Sequence, residues 1–252
     1  MLEDAKVSAR IGLLSPPSNV VMEVDFYRSL PADITLHTSH IYRSRQTLSA
    51  DSLTETAQNA VQTAMTLIQV KPDVVLYGHA ASSFAGGIAG DRNIAQSISD
   101  AIGCPAITAA TATARCLKST GARRLWYIAP YPPAIAQSGA DFLTAQGFEV
   151  CAMNGMGIDQ VADLRQIPLQ TTYDLALRTA SQADADALYI CGTGIRTFGL
   201  VGPLERALKK PVITANLAAL WGALDQIGHG HRFVFEESRL LEWQKKLMPD
   251  RL

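Results

Sequence analysis

The stretch "RIGLLSP", Arg10–Pro16, returns late in the chain as "RLWYIAP", Arg124–Pro130. Each is an arginine, five mostly apolar residues and a proline, and each is followed by Asp-Phe, at Asp25-Phe26 and Asp141-Phe142. Working outward, "DVVLYGHAASSFAGG" (Asp73–Gly87) is answered by "DALYICGTGIRTFG" (Asp186–Gly199), which pairs Tyr77-Gly78-His79 with Tyr189-Ile190-Cys191. "CPAITAATA" (Cys104–Ala112) and "KPVITANLA" (Lys210–Ala218) then share Pro-x-Ile-Thr-Ala. Matches that recur in the same order mark two homologous halves.

Each half reads as strands alternating with helices. The runs "IGLLS", "ITLHTS", "DVVLYG" and "PAITA" are short, apolar and bounded by Pro, Gly or Asp, as parallel strands buried on both faces should be. Between them "LTETAQNAVQTAMTLIQV" carries Leu53, Ala57, Ala60, Val61, Ala64, Met65 and Ile68 on one helical stripe, and "TTYDLALRTASQA" is its partner in the second half. This alternation predicts parallel sheets with helices on both faces. The expected units are residues 1–115, residues 116–230, and 231–252 as a C-terminal helix packed on the body.

Composition narrows the function. The chain has 252 residues, a net charge of −1 and 18% charged residues, which suggests neither nucleic acid nor an anionic membrane as partner. No apolar run reaches the ~18 residues of a bilayer span, and "MLEDAKVSAR" lacks the apolar stretch of a signal peptide. Cys104, Cys116, Cys151 and Cys191 form neither a disulfide framework nor a zinc pattern. The expectation is a soluble cytoplasmic protein, with a homo-oligomer left open.

Ligands of open α/β sheets bind beyond the carboxyl ends of strands. Those ends here carry Ser15-Pro16-Pro17-Ser18-Asn19, His79-Ala80-Ala81-Ser82-Ser83, Pro130-Tyr131-Pro132 and Cys191-Gly192-Thr193-Gly194. In a two-fold arrangement the His79 and Cys191 loops face each other across one cleft. Two proton-handling groups around a carbon acid are the geometry for enolate chemistry. Turns of small residues supply N–H groups for the oxyanion, and a thiol at such a turn is expected to ionise nearer neutrality.

These motifs resemble the aspartate/glutamate racemase superfamily, and within it the branch of maleate cis-trans isomerases and arylmalonate decarboxylases. The likeness covers nearly the whole chain: "IGLLSPPSNVVMEVDFYRSLP" is similar to the isomerases' opening, "ITLHTSHIYR" to their second strand, "YICGTGIRT" to the second-half cysteine loop and "PVITANLAALWGAL" to the last strand and helix. The resemblance implies two pseudo-two-fold-related lobes, each a parallel four-stranded sheet flanked by helices, with the last helix of each half free to cross to the other lobe. It implies a cofactor-independent enzyme for a small carboxylate or dicarboxylate, working through an ene-diolate. Cys191 corresponds to the cysteine that protonates the intermediate, Tyr131 to a carboxylate-binding tyrosine and Asn19, after Pro17, to a carboxylate-binding asparagine. Gly192, Thr193, Ala80, Ala81 and Ser82 complete the substrate-binding loops.

The departure is His79. Racemases and isomerases have a cysteine there; arylmalonate decarboxylase has glycine, followed by two hydroxyl residues where this chain has Ala80 and Ala81. Decarboxylation of a malonate-type acid ranks first, because it needs one proton donor. Isomerisation or racemisation with His79 opposite Cys191 ranks second, and a non-catalytic carboxylate-binding homologue third.

Plainer roles exist for several of these residues. Cys104, Cys116 and Cys151 read as small buried hydrophobes, Asn19 can cap a helix starting near Val21, and Tyr131 can be a core aromatic. "HTSH" (His37–His40) and "HGH" (His229–His231) lack the further ligands of a metal site and read as surface or loop histidines. "AGGIAG" does not match a dinucleotide fingerprint, so no cofactor is expected.

Overall fold

In a computed structural model, which describes residues 7–233, 235 and 238–247, each half supplies one sheet. The first half runs β1 (Ala9–Ser15), α1 (Met22–Tyr27), β2 (Ile34–His40), α2 (Ala50–Gln58), α3 (Ala60–Met65), β3 (Val74–Tyr77), α4 (Ala80–Ala85), α5 (Gly87–Ile102), β4 (Ala106–Thr108) and α6 (Ala109–Ser119). The second runs β5 (Arg124–Ala129), α7 (Pro133–Ala145), β6 (Glu149–Gly155), α8 (Val161–Leu164), α9 (Leu169–Ala180), β7 (Ala187–Ile190), α10 (Phe198–Leu208), β8 (Val212–Thr214) and α11 (Ala215–Gln226), with α12 (Leu240–Leu247) after it. The sheets are ordered β2-β1-β3-β4 and β6-β5-β7-β8, and every pairing within them is parallel. The fold is therefore α/β with two parallel four-stranded sheets flanked by helices.

The repeated motifs do the same work in both halves. Asp73 and Asp186 precede the third strand of each sheet, and their carboxylates accept the backbone N–H of Arg10 and Arg124 at 2.7 and 2.8 Å. Thr108 and Thr214 end the fourth strands and cap the helices that follow, accepting from the N–H groups of Thr111 and Leu217. That double duty accounts for the shared Ile-Thr-Ala.

The ladder corrects the pairing of His79 with Cys191 by one residue. The N–H of Gly78 donates to Leu14 O at 2.7 Å and that of Cys191 to Ile128 O at 2.8 Å, and Leu14 and Ile128 hold the same place in "RIGLLSP" and "RLWYIAP". Gly78 is thus the positional equivalent of Cys191, and His79 that of Gly192. The shared tyrosines mislead: with side chains alternating along a strand, Tyr77 packs with Ala60 and Ile98, while Tyr189 stacks on Tyr127 in the larger core.

Helices α6 and α11 pack against each other between the sheets, α6 reaching β8 and α11 reaching β3 and β4. Gly222 permits this close approach, since a Cβ there would stand 2.6 Å from that of Ala112. Asn216, on α11, donates its amide to the Asp25 carboxylate of α1 at 2.8 Å. Burial pushes the Asp25 carboxyl up to about 6, against the smaller opposing effect of that hydrogen bond. A carboxyl raised in the fold binds protons that the unfolded chain has released, so stability falls as pH rises from about 4 to about 6, by up to about 3 kcal/mol, and is level above. Asp25→Asn is expected to remove this slope and to raise Tm at neutral pH, because its amide can also donate to Asn216 Oδ1, which is buried and unpartnered. Thermal melts between pH 4 and 8 measure both effects.

Two local expectations change. The helix expected from Leu53 onward breaks at Asn59 into α2 and α3, and its buried side is Leu53, Thr56, Ala60, Thr63 and Ala64, leaving Met65 and Ile68 exposed. Thr56 and Thr63 enter the core because their hydroxyls bond back to the carbonyls of Ser52 and Asn59. Of the three cysteines expected in the core only Cys116 is buried; Cys104 and Cys151, at sheet borders, are half-exposed, and all four cysteines are free. His37 and His40 lie on edge strand β2, His40 exposed, in keeping with the surface position expected of them. The tail helix docks through Trp243 Nε1 to Glu205 and Gln244 Nε2 to Ser119 Oγ; residues 1–6, 234, 236–237 and 248–252 of the expected units fall outside the described residues. Among the described residues no helix is long and apolar enough to cross a membrane.

Candidate active site

The two loops at the ends of β3 and β7 differ in how they leave the sheet. Gly78 passes too close to Leu13 and Leu14 for a Cβ, and His79 follows in extended conformation at the N-terminus of α4. Ala80, Ala81, Ser82 and Ser83, expected to form a turn, are already helical and buried. His79 Nδ1 shares a 2.6 Å hydrogen bond with Ser82 Oγ, which in turn meets the Tyr77 hydroxyl at 2.5 Å. Burial, reinforced by the positive charge of Arg43, pushes the imidazole down to about 3. His79 is a neutral ring with a fixed orientation.

At the other loop Cys191 is the first residue beyond β7, and the chain turns at Gly192, where φ is +107° and a Cβ would lie 2.9 Å from Pro130 Cγ. The thiol is fully buried among Tyr189, Tyr127 and Tyr131. Burial pushes it up to about 11, which those hydroxyls and the Gly192 N–H only partly offset. The expected shift toward neutrality is thus reversed: desolvation of the thiolate outweighs the turn's N–H groups.

The loops meet across the lobes. Thr193 Oγ1 donates to Gly78 O at 3.2 Å, and Asn19 Nδ2 donates to Thr193 O at 3.1 Å. Asn19 Oδ1 accepts from the N–H groups of Val21 and Met22, so this residue, two before the N-cap Val21, holds the start of α1 and ties the halves together. His79, Tyr131, Asn19 and Thr193 line one small cavity of about 30 Å³. Cys191 lies behind Tyr131, off its wall, as do Ala80, Ala81, Ser82 and Gly192; Pro17 points to solvent while Pro16 and Ser18 face the cavity.

The rest of the wall was missed from the sequence: Arg43, Leu48, Val161 and Leu164. They come from the segments after β2 and β6, the edge strands, whose ends obey the same strand-end rule as the four loops considered. These segments pair across the cavity, Leu48 N–H to Asp159 O at 2.8 Å and Val161 N–H to Gln46 O at 3.0 Å. The space left suits a single water, with these two paired segments lying over it as flaps. A far larger open groove between α5 and α6, about 1220 Å³, holds none of these residues; converging polar groups, not size, single out the site. Among the described residues no group of three or more His, Cys, Asp or Glu is placed to hold a metal ion.

Comparison with known proteins follows the same lines. The profile of the arylmalonate decarboxylase family matches residues 11–241. The chain belongs to this family. It is 24% identical to the arylmalonate decarboxylase of Bordetella bronchiseptica over 221 residues, 87% of this chain and 91% of that one. It is 25% identical to a maleate isomerase of Nocardia farcinica over 227 residues, 85% and 88% of the two chains. Its fold matches a variant of the maleate isomerase from Pseudomonas putida S16 with maleate at a TM-score of 0.86 and 20% identity, covering 92% of this chain and 97% of that one. A double variant of arylmalonate decarboxylase in liganded form matches at 0.84 and 23%, covering 92% and 98%. The family thus spans decarboxylases and isomerases.

Proposed function

We propose that the protein is a cofactor-independent decarboxylase of a small malonate-type acid, with Cys191 as proton donor. The observation that carries this reading is the asymmetry of the loops: a buried, protonated thiol on one and a neutral imidazole on the other. A thiol held as S–H is suited to deliver a proton, and no second thiol stands opposite to add across a double bond. In the reaction the bond between the α-carbon and one carboxylate breaks, carbon dioxide leaves, and the electron pair stays as an ene-diolate. Cys191 Sγ–H, brought within reach as the substrate widens the cavity on its Tyr131 side, then protonates the α-carbon, and a proton from solvent restores the thiol, so one proton is consumed per turnover. Tyr131, between cavity and thiol, holds an ene-diolate oxygen, with the N–H groups of Thr193 and Gly194 on the same wall as further donors.

A second reading, proton transfer between His79 and Cys191 in an isomerase or racemase, is favoured by one fact: His79 lines the same cavity with its ring fixed by Ser82. The test is a panel of malonates, maleate and amino acids in deuterated water, followed for carbon dioxide release, substrate loss and C–H exchange. Binding without turnover or exchange marks a non-catalytic carboxylate binder. His79→Gly separates the first two readings. Decarboxylation is expected to survive within about tenfold in kcat/KM, whereas a group that moves a proton contributes about 10²–10⁴-fold, and a loss of that size on His79→Gly makes the second reading the answer.

A further inference from the structure

We propose that Arg43 recognises the carboxylate that the substrate keeps, offering its Nε–H and Nη2–H edge as a two-pronged fork, and so restricts the site to dicarboxylates. This rests on the reading of the cavity as the substrate site. Arg43 follows β2 on the first flap and shares the cavity wall with His79 and Tyr131. Its Nε and Nη2 are buried and, among the described residues, have no hydrogen-bond partner. These two nitrogens lie on one edge of the planar guanidinium, and their spacing matches the two oxygens of a carboxylate. Idle buried donors on a half-buried cation cost stability, the condition of a binding group awaiting its ligand.

Among the described residues no partner takes that edge. Glu55 attracts Arg43 electrostatically, but one of its oxygens accepts the Ser44 N–H and the other is itself unpartnered. No ion pair among the described residues includes Arg43. The lid around it is apolar, Leu48 from the same flap and Val161 and Leu164 from the opposite one, so closure removes water from a bound anion and strengthens its attraction to the guanidinium.

Charge flow assigns the carboxylate. The group that departs loses its charge on becoming carbon dioxide, so a cation paired with it holds the reaction back. The group that stays gains charge as the ene-diolate forms, and a cation there favours the transition state.

The experiment uses the Cys191→Ala protein, in which chemistry is stopped, and measures malonate affinity by calorimetry and the malonate-induced rise in Tm. Adding Arg43→Met is expected to weaken malonate at least tenfold and to abolish the Tm rise, while ligand-free Tm stays the same or increases. Arg43→Lys, charged but without the fork, is expected to fall between. Arg43→Met binding malonate within twofold of its parent overturns the proposal. So does an equal drop in ligand-free Tm for Arg43→Met and Glu55→Gln with affinity kept, the signature of a structural ion pair. Arg43-dependent malonate binding in a protein that releases no carbon dioxide from any malonate supports this assignment and overturns decarboxylation; turnover of malonates with Arg43-independent affinity does the reverse.

Discussion

Cys191→Ala is expected to lower kcat/KM by about 10²–10⁴-fold on whichever malonate-type acid the panel reveals, the range for loss of a positioned general acid. The loss should fall on kcat more than on KM, because the thiol lies behind Tyr131 and off the cavity wall, and so adds little to binding the ground state. Malonate affinity in Cys191→Ala should stay close to that of the parent. Cys191→Ser is expected to fail almost as badly, since a hydroxyl is a far weaker acid than a thiol and the alkoxide left behind would be buried. The pH dependence follows from the same two groups. The thiol stays protonated until about 11 and the imidazole stays neutral down to about 3, so neither changes charge in between. A profile of kcat/KM that is flat between about pH 5 and pH 9 is the expected result. A bell centred near neutrality, or a Cys191→Ala enzyme of full activity, contradicts the role given to this thiol.

Much of this arrangement was legible in the chain because a duplication writes the same physics twice. The aspartates before β3 and β7 and the threonines after β4 and β8 each satisfy a backbone donor at the same place in both halves, and a constraint of that kind leaves matching residues in matching order. The strand-end rule then pointed to His79, Tyr131 and Asn19, which share the cavity wall, and to Cys191, which lies off it. Identity of residue type was a poorer guide than hydrogen-bond register: Tyr77 and Tyr189 look equivalent in sequence but belong to opposite faces of their strands, which displaced His79 by one residue from its true counterpart, Gly192. The ionisation of Cys191 was also hidden. Turn glycines are visible locally, but the three tyrosines that bury the thiol come from two strands and a loop of the folded lobe. Arg43 was hidden for the same reason. Nothing in "IYRSRQ" tells which arginine turns inward until the flap pairs with residues 159–161 of the other half.

Gly192→Val is expected to be the most damaging substitution outside the chemistry itself. At φ +107° a β-branched residue is strained whatever the space around it, at about 1–3 kcal/mol. Its Cβ would also stand 2.9 and 3.2 Å from Cγ and Cδ of Pro130, a ring that cannot swing aside, and overpacking of this kind costs about 1–3 kcal/mol. Together these amount to roughly 2–6 kcal/mol, or a fall in Tm of roughly 5–20 °C for a chain of this length. Relief requires the loop to move, and Thr193 moves with it. Its bonds to Gly78 O and from Asn19 tie the loop after β7 to the loops after β3 and β1, so the halves of the site lose their alignment as well. Misplacement by about 1 Å is enough to cost on the order of 10²-fold in rate. Activity is therefore expected to drop by that amount even well below the new Tm. Gly194→Ala is the matched control, two residues on in the same loop: its Cβ would meet only Leu164 Cδ1 at 3.7 Å, an ordinary contact, and Tm is expected to stay within about 2 °C. Melting curves and kcat/KM on the two variants decide the matter. A Gly192→Val protein that melts and turns over like its parent would mean that the turn after Cys191 has room and freedom that this geometry denies it.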